Sequence, residues 1–247
     1  MYSFLKDLLS DKKGDVCFAC FDGFHLCFIA AVLAATAVGW FYLKDRSQAS
    51  RQKALTACVN AAFGLYIADF FLMPFAYGTI EIDKLPFHIC TAMCVACFVS
   101  RHNQALFPYR VHFAVYGFLS NLVYLIYPAG VMWYQVQALS YRVIQTLLFH
   151  GVMAMCCFLV LLFDDYQWEP KKCYGDLAVI VGMTLWAMAG NYLYNGELGF
   201  FNWFFVIRDP FYLIPGEIAP FIMPFLNVSL FFPAAMLVRF VVRRCRR

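Results

Sequence analysis

Four ionisable side chains of this 247-residue chain stand inside otherwise apolar stretches: Asp69, His88, His112 and His150. An ionisable group in a membrane helix costs about 2.5–3.5 kcal/mol, so it faces a bundle interior or a wet cavity. Two histidines with an aspartate can hold one imidazole in a set tautomer and let it act as a general base. A base beside a Ser, Thr or Cys supports acyl transfer through a covalent intermediate. Around His88 the sequence offers two such groups, Cys90 and Thr91. On a helix, residues two apart point about 200° from each other, whereas residues three apart share a face. Thr91 therefore faces His88 if both are helical, and Cys90 becomes available if His88 precedes the first regular turn. No GxSxG, HExxH, P-loop or GxGxxG motif occurs, and no cofactor is expected.

The elements that carry these groups follow from composition. The chain is 63% hydrophobic, 19% aromatic and 14% charged, against about 45–50% apolar and about 25% charged for a soluble domain. Too few polar atoms remain to cover a soluble surface. This excludes disorder, collagen, coiled coil and nucleic-acid-binding modules, and makes lipid the solvent. A spanning helix needs about 20 apolar residues. Seven stretches fit, at about 24–44, 54–78, 86–100, 108–133, 142–163, 174–196 and 216–240. The expected fold is all-α, a polytopic seven-helix transmembrane bundle. It has an N-terminal tail over 1–23, with an interfacial helix at Tyr2–Leu9, a membrane domain over 24–240 and a basic tail over 241–247.

Charge placement orients the bundle. Lys44, Arg46, Arg51 and Lys53 follow the first span, Arg101 and Arg110 the third, Lys171 and Lys172 the fifth, and five arginines close the chain. The positive-inside rule then puts the C-terminus in the cytoplasm and the N-terminus outside or in a lumen. In that frame Asp69 and His150 lie roughly 12–14 Å below the outer side. His88 opens a third span too short to cross unaided. Asn191 lies near the outer end of the sixth span, and the aromatic loop 197–215, with Arg208, Asp209 and Tyr212, caps the same side. Asn60, Asn121 and Asn227 are neutral companions. His112, near an inner end, reads as structural. His25, Asp176, Glu217 and Arg239 lie at span ends, in reach of headgroup water. Convergence of the costly groups on one side points to a shared functional cavity, and a polar network fixing helix register is the alternative. The pair Cys17 and Cys20 has no second Cys or His pair at ligand spacing, so no metal is expected. Cys90, Cys94 and Cys97 form one helical stripe suited to packing.

In order along the chain stand LPFHIC (Leu85–Cys90), FHG (Phe149–Gly151), NYLY (Asn191–Tyr194) and DPFY (Asp209–Tyr212). This pattern, over residues 54–235, resembles the bacterial YwaF-type membrane proteins and their eukaryotic relative, the transmembrane protein 164 family. The resemblance implies a membrane acyltransferase that moves fatty acyl chains between glycerophospholipids through a cysteine acyl-enzyme. His88 would match the histidine of its Pro-Cys-His motif, His150 its later intramembrane histidine, and Asp209–Tyr212 its segment before the last span. The position of that family's cysteine is Phe87 here, and Cys90 follows the histidine as in the YwaF-type pattern.

The expected function is that of a lipid acyltransferase, transacylase or lipase-like hydrolase, with membrane phospholipids as partners. His88 and His150 would be acid and base, Cys90 or Thr91 the nucleophile, and Asp69 or Asp209 the group orienting a histidine. Asn191, Asp209 and Tyr212 are the expected substrate-binding set. The competing class is a non-catalytic transporter, receptor or membrane-complex subunit. The span after His88 ends in Ser100-Arg101-His102 rather than an Asp-Arg-Tyr-type receptor motif, and the last span lacks a lysine for retinal.

Overall fold

The first two long helices start at side chains that take up unbonded backbone donors. The computed structural model describes residues 9–12, 16–79, 81–132, 134–164, 169, 173–195 and 201–245. Helix α1 (Gly23–Lys44) begins at Asp22, whose carboxylate accepts the His25 N–H at 2.7 Å. Helix α2 (Gln48–Tyr77) begins at Ser47, whose hydroxyl accepts the Ser50 N–H. It ends on Gly78 in the left-handed conformation that glycine adopts at no steric cost. Then follow α3 (Ile89–His102), α4 (Arg110–Ile126), the single turn α5 (Ala129–Met132), α6 (Tyr141–Phe163), α7 (Cys173–Tyr194) and α8 (Ala219–Cys245). The described residues contain no strand.

Among the described residues five helices are long and apolar enough to cross a membrane: α1, α2, α6, α7 and α8. Helix α3 has 14 residues and α4 has 17, about 21 and 26 Å against a hydrocarbon core of about 30 Å. The stretch expected as one span over 108–133 is interrupted. Pro128 disfavours helical backbone at Tyr127, so α4 stops at Ile126 and helix resumes only as the turn α5. The expected interfacial helix at Tyr2–Leu9 lies, Leu9 apart, outside the described residues, as do Lys171, Lys172 and residues 197–200 of the aromatic loop.

The chain forms two compact units. One comprises Met1–Glu81 and Ser120–Phe163, the other Ile82–Leu119 and Asp164–Arg247, with the boundary inside α4. In the first unit α6 is central and packs against α1 and α2. Of its apolar stretch 67% is buried, against 6% for α1, which leaves α1 as a lipid-facing flank. Gly151 permits the close approach of α1, because a Cβ there would lie 2.7 Å from Val32 and 3.1 Å from Phe28. The segment before α1 is strapped to the loop before α6. Phe18 N–H donates to the Val136 carbonyl and Gln137 N–H to that of Lys12, while the Phe18 ring packs on Val131, Val136, Val143 and Leu147. The thiols of Cys17 and Cys20 donate to the carbonyls of Gln135 and Ile126. Burial, with Asp22 nearby, pushes the Cys20 thiol up from its ordinary pKa.

In the second unit α7 packs against α3, α8 and the turn Trp203–Phe205. One end of these helices carries two buried charge clusters. Arg101 and Arg110 both donate to Asp164 Oδ2, at 2.6 and 2.9 Å. Asp176 Oδ1 accepts from Arg239 at 2.6 Å and from His112 Nδ1 at 2.8 Å, and the Asp176 carbonyl accepts the Tyr116 hydroxyl. Asp176 and Arg239 were expected in reach of headgroup water, and both are buried instead, because each supplies the other's counter-charge. His25 is likewise buried. Its Nδ1 accepts the Phe21 N–H, so its Nε2–H donates to the Leu125 carbonyl, one of those left unbonded at the end of α4. Glu217 is exposed, as expected.

Candidate functional site

The entry to α3 is built from Leu85–Cys90. The Pro86 carbonyl accepts the Trp186 indole N–H at 2.7 Å. The Phe87 ring lies directly on Gly190 of α7, where any Cβ would collide with it. It stacks on Trp186 at 4.9 Å and meets Trp203 and Tyr194 at 4.9 and 5.8 Å. His88 is the N-cap of α3, in extended backbone (φ −76°, ψ 145°), and its side chain makes no cap bond. The first-turn N–H groups of α3 are therefore not taken up by the capping residue. Because His88 precedes the first regular turn, the 200° separation from Cys90 does not apply. The Thr91 hydroxyl donates to the His88 carbonyl at 3.1 Å. The His88 side chain is 30% exposed; Nε2 lies 3.8 Å from Asp83 Oδ1 and Nδ1 accepts the Phe204 N–H at 3.3 Å.

The segment 201–214 is folded by amides and one carboxylate. Asn191 accepts the Trp203 N–H and donates to the Trp203 carbonyl, both at 3.1 Å. Asn227 donates to the Phe204 carbonyl at 2.6 Å. Asn202 accepts the N–H groups of Ile207 and Arg208. The Trp203 indole is fully buried, donates to the Asp83 carbonyl and stacks on Phe201 at 4.5 Å. Asp209 accepts the N–H groups of Phe211, Leu213 and Ile214 at 2.9, 2.7 and 3.1 Å. These bonds, led by that of Phe211, hold its carboxyl below the usual carboxylate range against the opposing effect of burial. Asn191 and Asp209 thus bond to backbone, and Tyr212, at φ 57°, is 78% exposed.

The remaining sequence candidates belong to the first unit. Asp69 accepts the Tyr141 hydroxyl at 2.7 Å. His150 Nδ1 lies 2.7 Å from Asn121 Oδ1, an oxygen that only accepts, so Nδ1 carries a proton. The Tyr124 ring stacks on the imidazole at 3.8 Å. Asp69 and His150 sit on the packed neighbours α2 and α6 and bond different partners. Arg142 donates to both carboxylate oxygens of Glu81 and to Asp11, between the rings of Tyr77 and Tyr134. Among the described residues no group of three His, Cys, Asp or Glu is arranged to hold a metal ion.

The model of the TMEM164 family matches residues 20–240. The chain belongs to the TMEM164 family. No curated protein and no solved structure matches it. With its long apolar helices, membership makes this an integral multi-pass membrane protein. It also frames the one departure visible in the sequence. At Phe87, where the resemblance places a cysteine, this TMEM164-family chain has the hub of an aromatic cluster of Trp186, Tyr194 and Trp203. A phenyl ring seated on Gly190 packs that cluster, and the adjacent thiol, Cys90, stands on the first turn of α3. Asn202 and Asn227 were missed as the residues that fold the loop. Their only sequence signal is an amide in an aromatic run.

Proposed function

We propose that this TMEM164-family protein is a membrane lipid acyltransferase or lipase-like hydrolase acting on glycerophospholipid acyl chains, with His88 as base and Cys90 as nucleophile. The observation that carries this reading is the N-cap position of His88. It frees His88 from helical register and puts a partly exposed ring, a thiol and the first-turn N–H groups at one helix end. Thr91 is the weaker nucleophile, since its hydroxyl already donates to the His88 carbonyl.

In this reading His88 takes the Cys90 proton and the thiolate attacks the acyl ester carbonyl. First-turn N–H groups of α3 stabilise the oxyanion. Collapse forms the thioester and releases the lysolipid alcohol, which leaves with the proton from His88. A second lysolipid hydroxyl, or water, then cleaves the thioester and returns the proton to sulfur. His150 is proposed as a second acid–base group, Asp69 or Asp209 as a carboxylate orienting a histidine, and Asn191, Asp209 and Tyr212 as groups on the substrate side. The short helices α3 and α4 are assigned as the third and fourth of seven crossings. The basic residues place the C-terminus in the cytoplasm and the N-terminus outside or in a lumen.

The test is acyl exchange between labelled phospholipid and lysolipid in reconstituted vesicles. His88→Ala is expected to lose about 10²–10⁴-fold in rate, the range for a general base. Cys90→Ser should abolish the acyl-enzyme seen by mass spectrometry. Full exchange in both folded variants overturns the reading.

A further inference from the structure

Phe204 and Phe205 both sit in left-handed backbone, at φ 55° and 51°. This conformation is costly for any residue with a Cβ, and it persists only where the surroundings impose it. Here the surroundings are two amides. Asn191 of α7 binds the peptides on both sides of Trp203, and Asn227 of α8 binds the Phe204 carbonyl. The peptide between Trp203 and Phe204 is therefore held at its oxygen by Asn191, and the next one by Asn227. The held N–H of Phe204 points at His88 Nδ1.

We propose that Asn191 and Asn227 are positioning residues that set the tautomer of His88 through the strained Phe204 turn. A backbone N–H can only donate, so the nitrogen it meets must carry the lone pair. The ring proton is thereby assigned to Nε2, the nitrogen that faces Asp83 at 3.8 Å. This is the logic by which an outer partner fixes which imidazole nitrogen is free. Neither amide touches the ring; both act through one peptide. Two neutral polar side chains buried in apolar helices thus acquire a common purpose, which packing of Trp203 alone would not require. The inference gives these amides a task within the proposed site, and rests on that reading only in taking His88 as the working ring.

The experiment reads the ring directly, by ¹⁵N NMR of the full chain labelled at histidine in detergent, with His88 assigned by its loss in His88→Gln. In the wild type His88 should show a protonated Nε2 and a bare Nδ1. In Asn227→Leu and Asn191→Leu the tautomer ratio should relax by about fivefold toward Nδ1–H, the worth of one net hydrogen bond. Adding Phe204→Gly, which accepts left-handed backbone at no steric cost, should restore the wild-type ratio to Asn227→Leu. It also provides the folded background if the single variants fail to fold. An Nδ1–H tautomer in the wild type, an unchanged ratio in the amide variants, or no rescue by glycine overturns the inference. Absence of acyl exchange in a wild type with the Nε2–H tautomer counts against the enzyme and leaves this inference standing.

Discussion

The two ends of α3, α7 and α8 handle polarity in opposite ways. At one end Arg101 and Arg110 meet Asp164, and Arg239 and His112 meet Asp176, in near-complete burial. At the other, Asn191, Asn202, Asn227 and Asp209 bond to backbone groups of one loop, and a titratable ring, His88, stays 30% exposed. Charges buried as pairs are costly to disturb. Amides that shape a loop around a half-exposed histidine leave the histidine able to work. Ionisability alone therefore does not mark function in this membrane protein. What separates the two ends is that one pairs charged groups with each other in burial and the other spends amides on a loop backbone beside a partly exposed ring.

The largest effect expected from breaking this contrast is at the charged end. Asp176→Ala leaves Arg239 buried without its counter-charge and should cost about 3–5 kcal/mol in denaturant unfolding in detergent micelles. Replacing both members, Asp176→Leu with Arg239→Met, should recover most of that loss, because well-packed apolar residues can stand in for a buried pair. Equal loss in single and double variants would show that the pair does more than neutralise itself.

At the amide end Asn191→Leu strands the Trp203 N–H and carbonyl and should cost about 1–3 kcal/mol by the same measurement. It should also raise the proteolysis rate of the 201–214 segment, which the charged-end variants should leave unchanged. The smallest effect belongs to Asp209. Its carboxyl is held below the ordinary range, so its contribution is fully present above the unfolded value of about 3.9 and is lost as pH falls through the lower folded value. Asp209→Ala should therefore loosen the loop to proteases at neutral pH. In an acid-stable protease assay its difference from the wild type should disappear only in strong acid. A difference already gone at pH 5 would contradict the depressed carboxyl.

Much of the architecture could be read from apolar length, because a helix in lipid must satisfy its backbone internally whatever it packs against. The signals that were legible and misjudged are local. Pro128 sits within the stretch expected as one span and ends α4. His88 is the N-cap of α3, whereas the expected span began at 86, three residues before Ile89. Other facts had no local signal. Arg239 meets Asp176 across 63 residues of chain, and nothing near either position announces the partner that lets both be buried.

What the sequence determined alone is the solvent, the helical class, the family pattern and the short list of polar residues inside apolar helices. Each depends on composition or on neighbours a few residues apart. What only the tertiary structure decided is the use of those residues: His112 and Asp176 on Arg239, Asn191 and Asn227 on the Phe204 turn, Phe87 on Gly190, and His88 outside the helix. The reason is physical. A polar group in a dry interior is defined by the partner that satisfies it, and here those partners arrive from distant helices.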